Sequence, residues 1–233
     1  MKKLKFFIFF VCLIFTFQSF SQGYWRLGYN FNYAITPKLK TVVDHFNTER
    51  PDFGDPLEYF GLWKGIAFGW GYWWPEYRFG MEALWSNSHD HIYASGFDPV
   101  YNVESKWDIK YRHNCLSYAF IFGFRNINNL YWGISLDMDN YRSFKSMNEE
   151  KYVWMDKNFI VADRLYLIYE IPLATKFTLQ FQPFVQLPWP LVWIEYDLFE
   201  DYIYGDYLLG ASIIELPVNI GLIATAFFSP KKD

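Results

Sequence analysis

Residues 24–36 alternate almost without a break. Trp25, Leu27, Tyr29, Phe31, Tyr33 and Ile35 are apolar or aromatic, while Arg26, Gly28, Asn30, Asn32, Ala34 and Thr36 between them are small or polar. Successive side chains of a β-strand point to opposite faces, so the stretch is one strand with an apolar face and a polar face. It is longer than the roughly 5–6 residues of an ordinary globular strand and fits the roughly 9–11 tilted residues that cross a bilayer.

The pattern returns along the chain. Over 65–74, Ile66, Phe68, Trp70, Tyr72 and Trp74 alternate with Gly65, Ala67, Gly69, Gly71 and Trp73, and Lys64 ends the apolar face at the hydrocarbon edge. After a tight turn at Pro75, Tyr77, Phe79, Met81, Ala83 and Trp85 alternate with Arg78, Glu82 and Ser86. Further strands are expected from about 108 to 124, with 115–124 as the lower half, and over 130–139, 164–171, 177–186 and about 213–228. Pro183 cannot donate to a ladder and predicts a bulge or the membrane rim within the seventh.

The connections carry independent information. Those at roughly 36–59, 87–107, 142–157 and 187–212 read as long loops, and those at 75, 126–129 and 172–175 as tight turns. Barrels of the bacterial outer membrane have short periplasmic turns and longer outer loops. The pairs Tyr24-Trp25, Trp73-Trp74 and Tyr131-Trp132 then fall at the periplasmic level, where interfacial rings anchor. Trp25, Trp73, Trp74, Tyr131 and Trp132 are the expected periplasmic aromatic girdle.

Composition sharpens the picture. Phe, Tyr and Trp make up 24% of the chain, yet beyond the first residues no uncharged apolar run is long enough for a membrane helix. Lys2, Lys3 and Lys5, the apolar run from 6 to 17 and Ser19-Phe20-Ser21 read as a signal peptide over 1–21, leaving 22–233 as one barrel domain. Removing those three lysines from 21 basic residues leaves 18 against 25 acidic ones, a net charge of −7. An acidic chain without a basic domain gives no sign of nucleic-acid binding. With Cys12 in the leader, Cys115 stands alone, which excludes an intrachain disulfide and a multi-cysteine metal site.

Alternation alone does not say which face is inside. A soluble barrel would bury the apolar face. The interior of eight strands only just holds side chains, and the aromatic face is too bulky for it, whereas glycines and ionised groups suit a narrow lumen. The chain therefore resembles the small eight-stranded outer-membrane β-barrels of Gram-negative bacteria over its whole mature length, by architecture and alternation and not by a local motif. The resemblance implies an all-β, antiparallel up-and-down transmembrane barrel in the outer membrane. Such barrels often end on the aromatic of the last strand, whereas here Phe228 is followed by Ser-Pro-Lys-Lys-Asp.

The candidate functional residues follow from this register. Arg26, Arg78, Glu82, Asp137, Asp139, Arg164 and Glu170 point inward as a luminal charge cluster, readable as a structural plug or as the lining of a gated pore. His113 and Cys115, with Ser117 beyond, resemble the His-x-Ser spacing of lipid-deacylating barrel enzymes, but their register aims them at the lumen and no orienting third group is evident. His89 and His91 share a face, with Asp98 as the only guess for a third metal ligand. Leu39, Val42, Val43 and Phe46 form one helical face, with Thr36 placed to cap the start, Pro37 at the first helical position and Pro51 to stop the run, predicting a short helix on the first outer loop, packed on its own barrel or against a partner. Trp189, Trp193, Tyr196, Tyr202 and Tyr204 in the last outer loop are a candidate partner surface. No cofactor and no metal is expected. The expected contacts are outer-membrane lipid and, through the outer loops, other outer-membrane or surface proteins. The leading expectation is a non-enzymatic structural or interaction barrel. A narrow gated pore or apolar-ligand transporter, and a lipid-modifying enzyme, are the alternatives.

Overall fold

The computed structural model describes residues 22–59, 61–98, 102–189, 194–195, 214–215 and 217–228. In chain order the elements are β1 (Gln22–Ile35), α1 (Pro37–Glu49), β2 (Phe53–Asp55), β3 (Leu62–Trp74), β4 (Phe79–Asp98), β5 (Val103–Gly123), β6 (Leu130–Met147), β7 (Val153–Ala174), β8 (Phe177–Pro188), β9 (Ile194–Glu195), β10 (Ile214–Glu215) and β11 (Val218–Phe228). Eight of the strands close one antiparallel cylinder. β1 pairs with β3, the pairing runs on through β4, β5, β6, β7, β8 and β11, and β11 returns to β1. Closure leaves no barrel strand with an unpaired edge, so the backbone polar groups are satisfied within the wall. This is the expected eight-stranded up-and-down barrel. No helix among the described residues is long and apolar enough to cross a membrane; the strands do the crossing.

The apolar faces point outward. Trp25, Leu27, Ile66, Phe68, Trp70, Tyr118, Phe120, Ile134, Leu165 and Leu167 are all exposed, while Arg26, Asn30, Asn32, Glu82, Ser86, Ser117, Ser135, Asp137, Arg164 and Gln182 are buried. A water-soluble barrel has the opposite arrangement. An apolar belt of this size is far beyond the few hundred Å² that soluble surfaces expose, so its solvent is lipid.

The wall is taller than expected. The stretches 87–107 and 142–157, expected to be loops, are strand for most of their length: β4 continues to Asp98, β5 begins at Val103, β6 ends at Met147 and β7 begins at Val153. About 10 tilted residues cross a bilayer, so roughly half of the 21-residue β5 stands above it. In that upper half the alternation inverts. Ile92, Ala94, Trp107, Ile109 and Tyr111 turn inward and are buried, and His91, Lys106, Asp108, Lys110 and Arg112 turn outward. Water outside the upper wall reverses the hydrophobic preference that lipid sets below it.

Two local expectations are also corrected. Pro183 makes no bulge. β8 passes through it opposite Leu222, and beside it the ladder to β7 lapses at Leu167 and Ile168 and resumes in the same register; the shift in that ladder comes further on, between Pro172 and Ala174. Thr36 occupies the N-cap of α1 with Pro37 at the first helical position, but its hydroxyl makes no cap and instead bonds the Tyr59 hydroxyl.

Candidate functional site

The lumen is filled in tiers. Lowest, on the periplasmic side, is an open vestibule of about 270 Å³ lined by Trp73, Tyr131, Ile168, Glu170, Lys176 and Phe227, among others. Trp73 and Tyr131 meet there edge to face at 5.2 Å, and Gln180 Nε2 donates to Glu170 Oε1 at 2.7 Å.

Above it stands the first ionic tier. The Arg26 guanidinium pairs with Glu82 across the barrel wall and donates to Gln182 Oε1 at 2.5 Å, while the Tyr24 hydroxyl donates to the second Glu82 oxygen at 3.1 Å. The small inward residues of β3 make room for it: Gly69 lies directly against the Arg26 side chain, and Gly71 against the Tyr24 ring.

The second tier is the densest. Arg164 Nε lies 2.7 Å from Asp137 Oδ2. Gln186 Nε2 bridges Asp137 Oδ2 at 2.6 Å and Asp139 Oδ2 at 2.8 Å, and Ser135 donates to Asp137 Oδ1 at 2.8 Å. His113 Nε2 is 2.7 Å from Asp139 Oδ1, with its ring stacked on Tyr141 at 4.5 Å. Asn219 Nδ2 donates to the Tyr141 hydroxyl at 2.9 Å and to Gln186 Oε1 at 2.5 Å. Each carboxylate here therefore faces a cation or several donors, which is the condition for keeping such groups out of water.

The outer mouth is closed by apolar packing. Val43 and Phe46 of α1 are buried in one cluster with Leu57, Trp63, Trp107, Ile109, Tyr111 and Tyr141. Phe46 meets Trp107 edge-on at 6.0 Å, Trp63 lies 5.0 Å from Tyr111, and the Arg50 guanidinium sits 4.2 Å above the Phe46 ring. The predicted helix thus packs into its own barrel mouth with the Val43 and Phe46 side of its apolar face.

Of the seven residues expected in the charge cluster, Arg26, Glu82, Asp137, Asp139 and Arg164 meet in the two ionic tiers. Glu170 belongs to the vestibule below them. Arg78 does not point into the lumen. It occupies the β3–β4 turn with positive φ, is exposed, and donates to the carbonyls of Phe124 and Arg125 on the neighbouring turn. The register argument placed it in a strand that begins only at Phe79. Sequence reasoning passed over Tyr24, His113, Gln182, Gln186 and Asn219 as partners because it counted charges. Their inward parity on the same strands was the available signal.

The girdle divides in two. Trp25 and Trp132 project outward and are exposed, and Trp74 is covered by Phe79, stacked at 5.6 Å. Trp73 and Tyr131 instead line the vestibule. His89 and His91 do share a face, the outer one, but Asp98 is buried on the inside beside Arg50 at 3.2 Å, so the three do not converge. His113, Cys115 and Asp139 offer ligand atoms within 4.8 Å of one another. Arg164 Nη2, 3.2 Å from Cys115 Sγ, holds a fixed cation against that corner, so the donor set suits a hydrogen-bonded core better than a metal. Asp139 supplies the orienting third group that the His113–Cys115 pair lacked in sequence, yet Cys115 and Ser117 are both buried in the lumen, where lipid does not reach them. Trp189 is exposed and donates its indole N–H to Asp163 at 3.0 Å. Trp193, Tyr196, Tyr202 and Tyr204 lie outside the described residues, as does the leader expected over 1–21.

A closed eight-stranded wall, apolar outside and packed with paired polar groups inside, defines a membrane-spanning β-barrel of the outer-membrane type. Solved structures of that shape are similar to it: Ail of Yersinia pestis, solved with the heparin analogue sucrose octasulfate, at 9% identity over 90% of this chain and 97% of that one with a TM-score of 0.48. Neisserial surface protein A matches at 7% identity over 88% and 96% with a TM-score of 0.43, and OprG of Pseudomonas aeruginosa at 8% over 90% and 95% with 0.41. No protein-family profile matches the chain, and no curated protein matches it.

Proposed function

We propose that this is a non-conducting, non-enzymatic barrel of the outer membrane, serving as a structural or interaction component through the part of its wall that rises above the lipid. One observation carries the reading. Two ionic tiers and an aromatic seal stand in series across the lumen, and Phe46, Trp63, Trp107, Arg26, Asp137 and Arg164 within them are each at most 2% exposed. An eight-stranded interior has no room for these side chains and a water column together. The reading is further supported by the burial of Cys115 and His113, which keeps that nucleophile–base pair away from any lipid substrate. The experiment is single-channel recording of the refolded mature protein in planar bilayers. The expected trace is flat at 100 mV and above. Steady unitary current would overturn the closed-lumen reading in favour of a gated pore.

A further inference from the structure

The outer face of the wall carries a row of basic residues in cross-strand register. Lys64 on β3 is paired with His89 on β4, His89 with Arg112 on β5, Arg112 with Arg142 on β6, and Arg142 with Lys157 on β7. All five are exposed. Like charges directly opposite each other destabilise a strand pair, and Arg112 facing Arg142 is such a pair. Among the described residues no carboxylate forms an ion pair with any of the five. Arg142 Nε donates to Asn140 at 2.8 Å, and the Arg112 guanidinium lies 5.4 Å over the Phe144 ring. The nearby acids are engaged elsewhere, Asp108 with His91 and Tyr152, and Asp163 with Trp189. General composition does not account for the row, because the mature chain is acidic, with 18 basic residues against 25 acidic.

Its position is equally specific. The last outward apolar residues below it are Ile66 on β3, Trp85 on β4, Leu116 on β5 and Met138 on β6. On β4, β5 and β6 one polar step intervenes, formed by Asn87, Asn114 and Asn140, which are themselves cross-strand neighbours, with Asn87 Nδ2 donating to Asn114 Oδ1 at 2.8 Å. Lipid-facing rings thus give way to guanidinium within about 13 Å along a tilted strand. A lipid whose acyl chains lie on Trp85, Leu116 and Met138 carries its headgroup at Arg112 and Arg142.

We propose that this row binds the phosphorylated headgroup of an outer-leaflet glycolipid. Guanidinium forks bond phosphate oxygens two at a time, and an anion laid across Arg112 and Arg142 removes the repulsion built into their register. The inference rests on the reading that the apolar wall faces lipid, since a free phosphate would gain nothing from the belt beneath the row.

The test uses the folded mature protein in neutral detergent, titrated with lipid A carrying both phosphates, with the same lipid after phosphate removal, and with inorganic pyrophosphate as competitor, and read by native mass spectrometry. The diphosphorylated lipid is expected to be held at least ~10-fold more tightly than the stripped one, a preference of about 1.4 kcal/mol. R112Q/R142Q should abolish that preference, and R112K/R142K, which keeps the charge without the two-pronged geometry, should keep only part of it. Lys106→Gln, on the same face but paired with Glu149 at 3.4 Å, should change nothing. Heat-dependent gel mobility confirms that each variant is folded. Equal retention of the two lipids, an unchanged preference in R112Q/R142Q, or displacement by pyrophosphate would overturn the proposal. If instead the protein needed no detergent at all, the lipid-facing wall itself would be refuted, so the two failures are distinct.

Discussion

Arg50, the residue that ends α1, lies 3.2 Å from Asp98 at the tip of β4, and both side chains are wholly buried. The contact joins the first outer segment to the rim of the wall and holds the Arg50 guanidinium over Phe46, the residue that seals the mouth. Removing one member of a buried ion pair costs about 3–5 kcal/mol, here charged to the docking of α1 and not to the barrel ladder. Arg50→Ala is therefore expected to make 37–59 cleavable by added protease while the unheated barrel keeps its compact gel mobility. Protection of that segment equal to wild type would show that Val43 and Phe46 hold the helix without the ion pair.

The lipid face and the lumen should respond differently to charge. Ile134 on β6 is exposed and lies between Phe120 and Leu165. Ile134→Arg places a cation in hydrocarbon and should cost about 2–4 kcal/mol near mid-membrane. Ser135→Ala, one residue along and inside, removes one hydrogen bond to Asp137 and should cost about 0.5–1.5 kcal/mol. Urea-induced unfolding in liposomes measures both, and equal costs would mean the two faces are exchanged. Leu136 is the poorer probe, because Asp163 stands opposite it and would receive an introduced arginine.

That example shows what was legible in the sequence and what was not. The eight strands, their outward faces and the inward direction of Arg26, Glu82, Asp137 and Arg164 follow from alternation, because lipid outside and a narrow lumen inside force a single parity. The upper wall was misread as loop for the same reason. Ile92, Ala94 and Trp107 are apolar and inward while His91 and Lys106 are polar and outward, so a search for apolar residues facing out stops at Trp85. Partnership was harder still. Which inward groups share a tier depends on stagger between strands, and neither Arg26–Gln182 nor Gln186–Asp139 is visible before the register is fixed.

Packing inside the lower lumen makes a second kind of prediction. A Cβ on Gly133 would stand 2.3 Å from the ring of its cross-strand partner Tyr166, whose aromatic face fills the space the glycine leaves. Gly133→Val should force that ring aside and cost about 1–3 kcal/mol, the usual cost of overpacking. Combining it with Tyr166→Ala removes the obstruction, so the double variant should be more stable than the two single losses added together. Simple additivity in urea unfolding would show that the ring is free to move.

Above the membrane, His91 gives a pH test. Its pKa is lowered from the ordinary 6.5, first by partial burial and then by Lys110 and His89, against the opposing pull of Asp108 at 3.3 Å. A histidine held below its unfolded value favours the fold while neutral. Its contribution is therefore present above pH 6.5 and is lost as pH falls below that value, because the unfolded chain takes up the proton first. The Tyr152 hydroxyl beside it, pushed up by burial and by its bond to the Asp108 carboxylate, stays protonated throughout. By NMR in detergent micelles the His91 ring should titrate below 6.5. Asp108→Asn should move the midpoint further down and Lys110→Gln should move it up. A midpoint at or above the ordinary value, or an upward move in Asp108→Asn, would show that the ring is fully wetted and that the upper wall is looser than its hydrogen bonds imply.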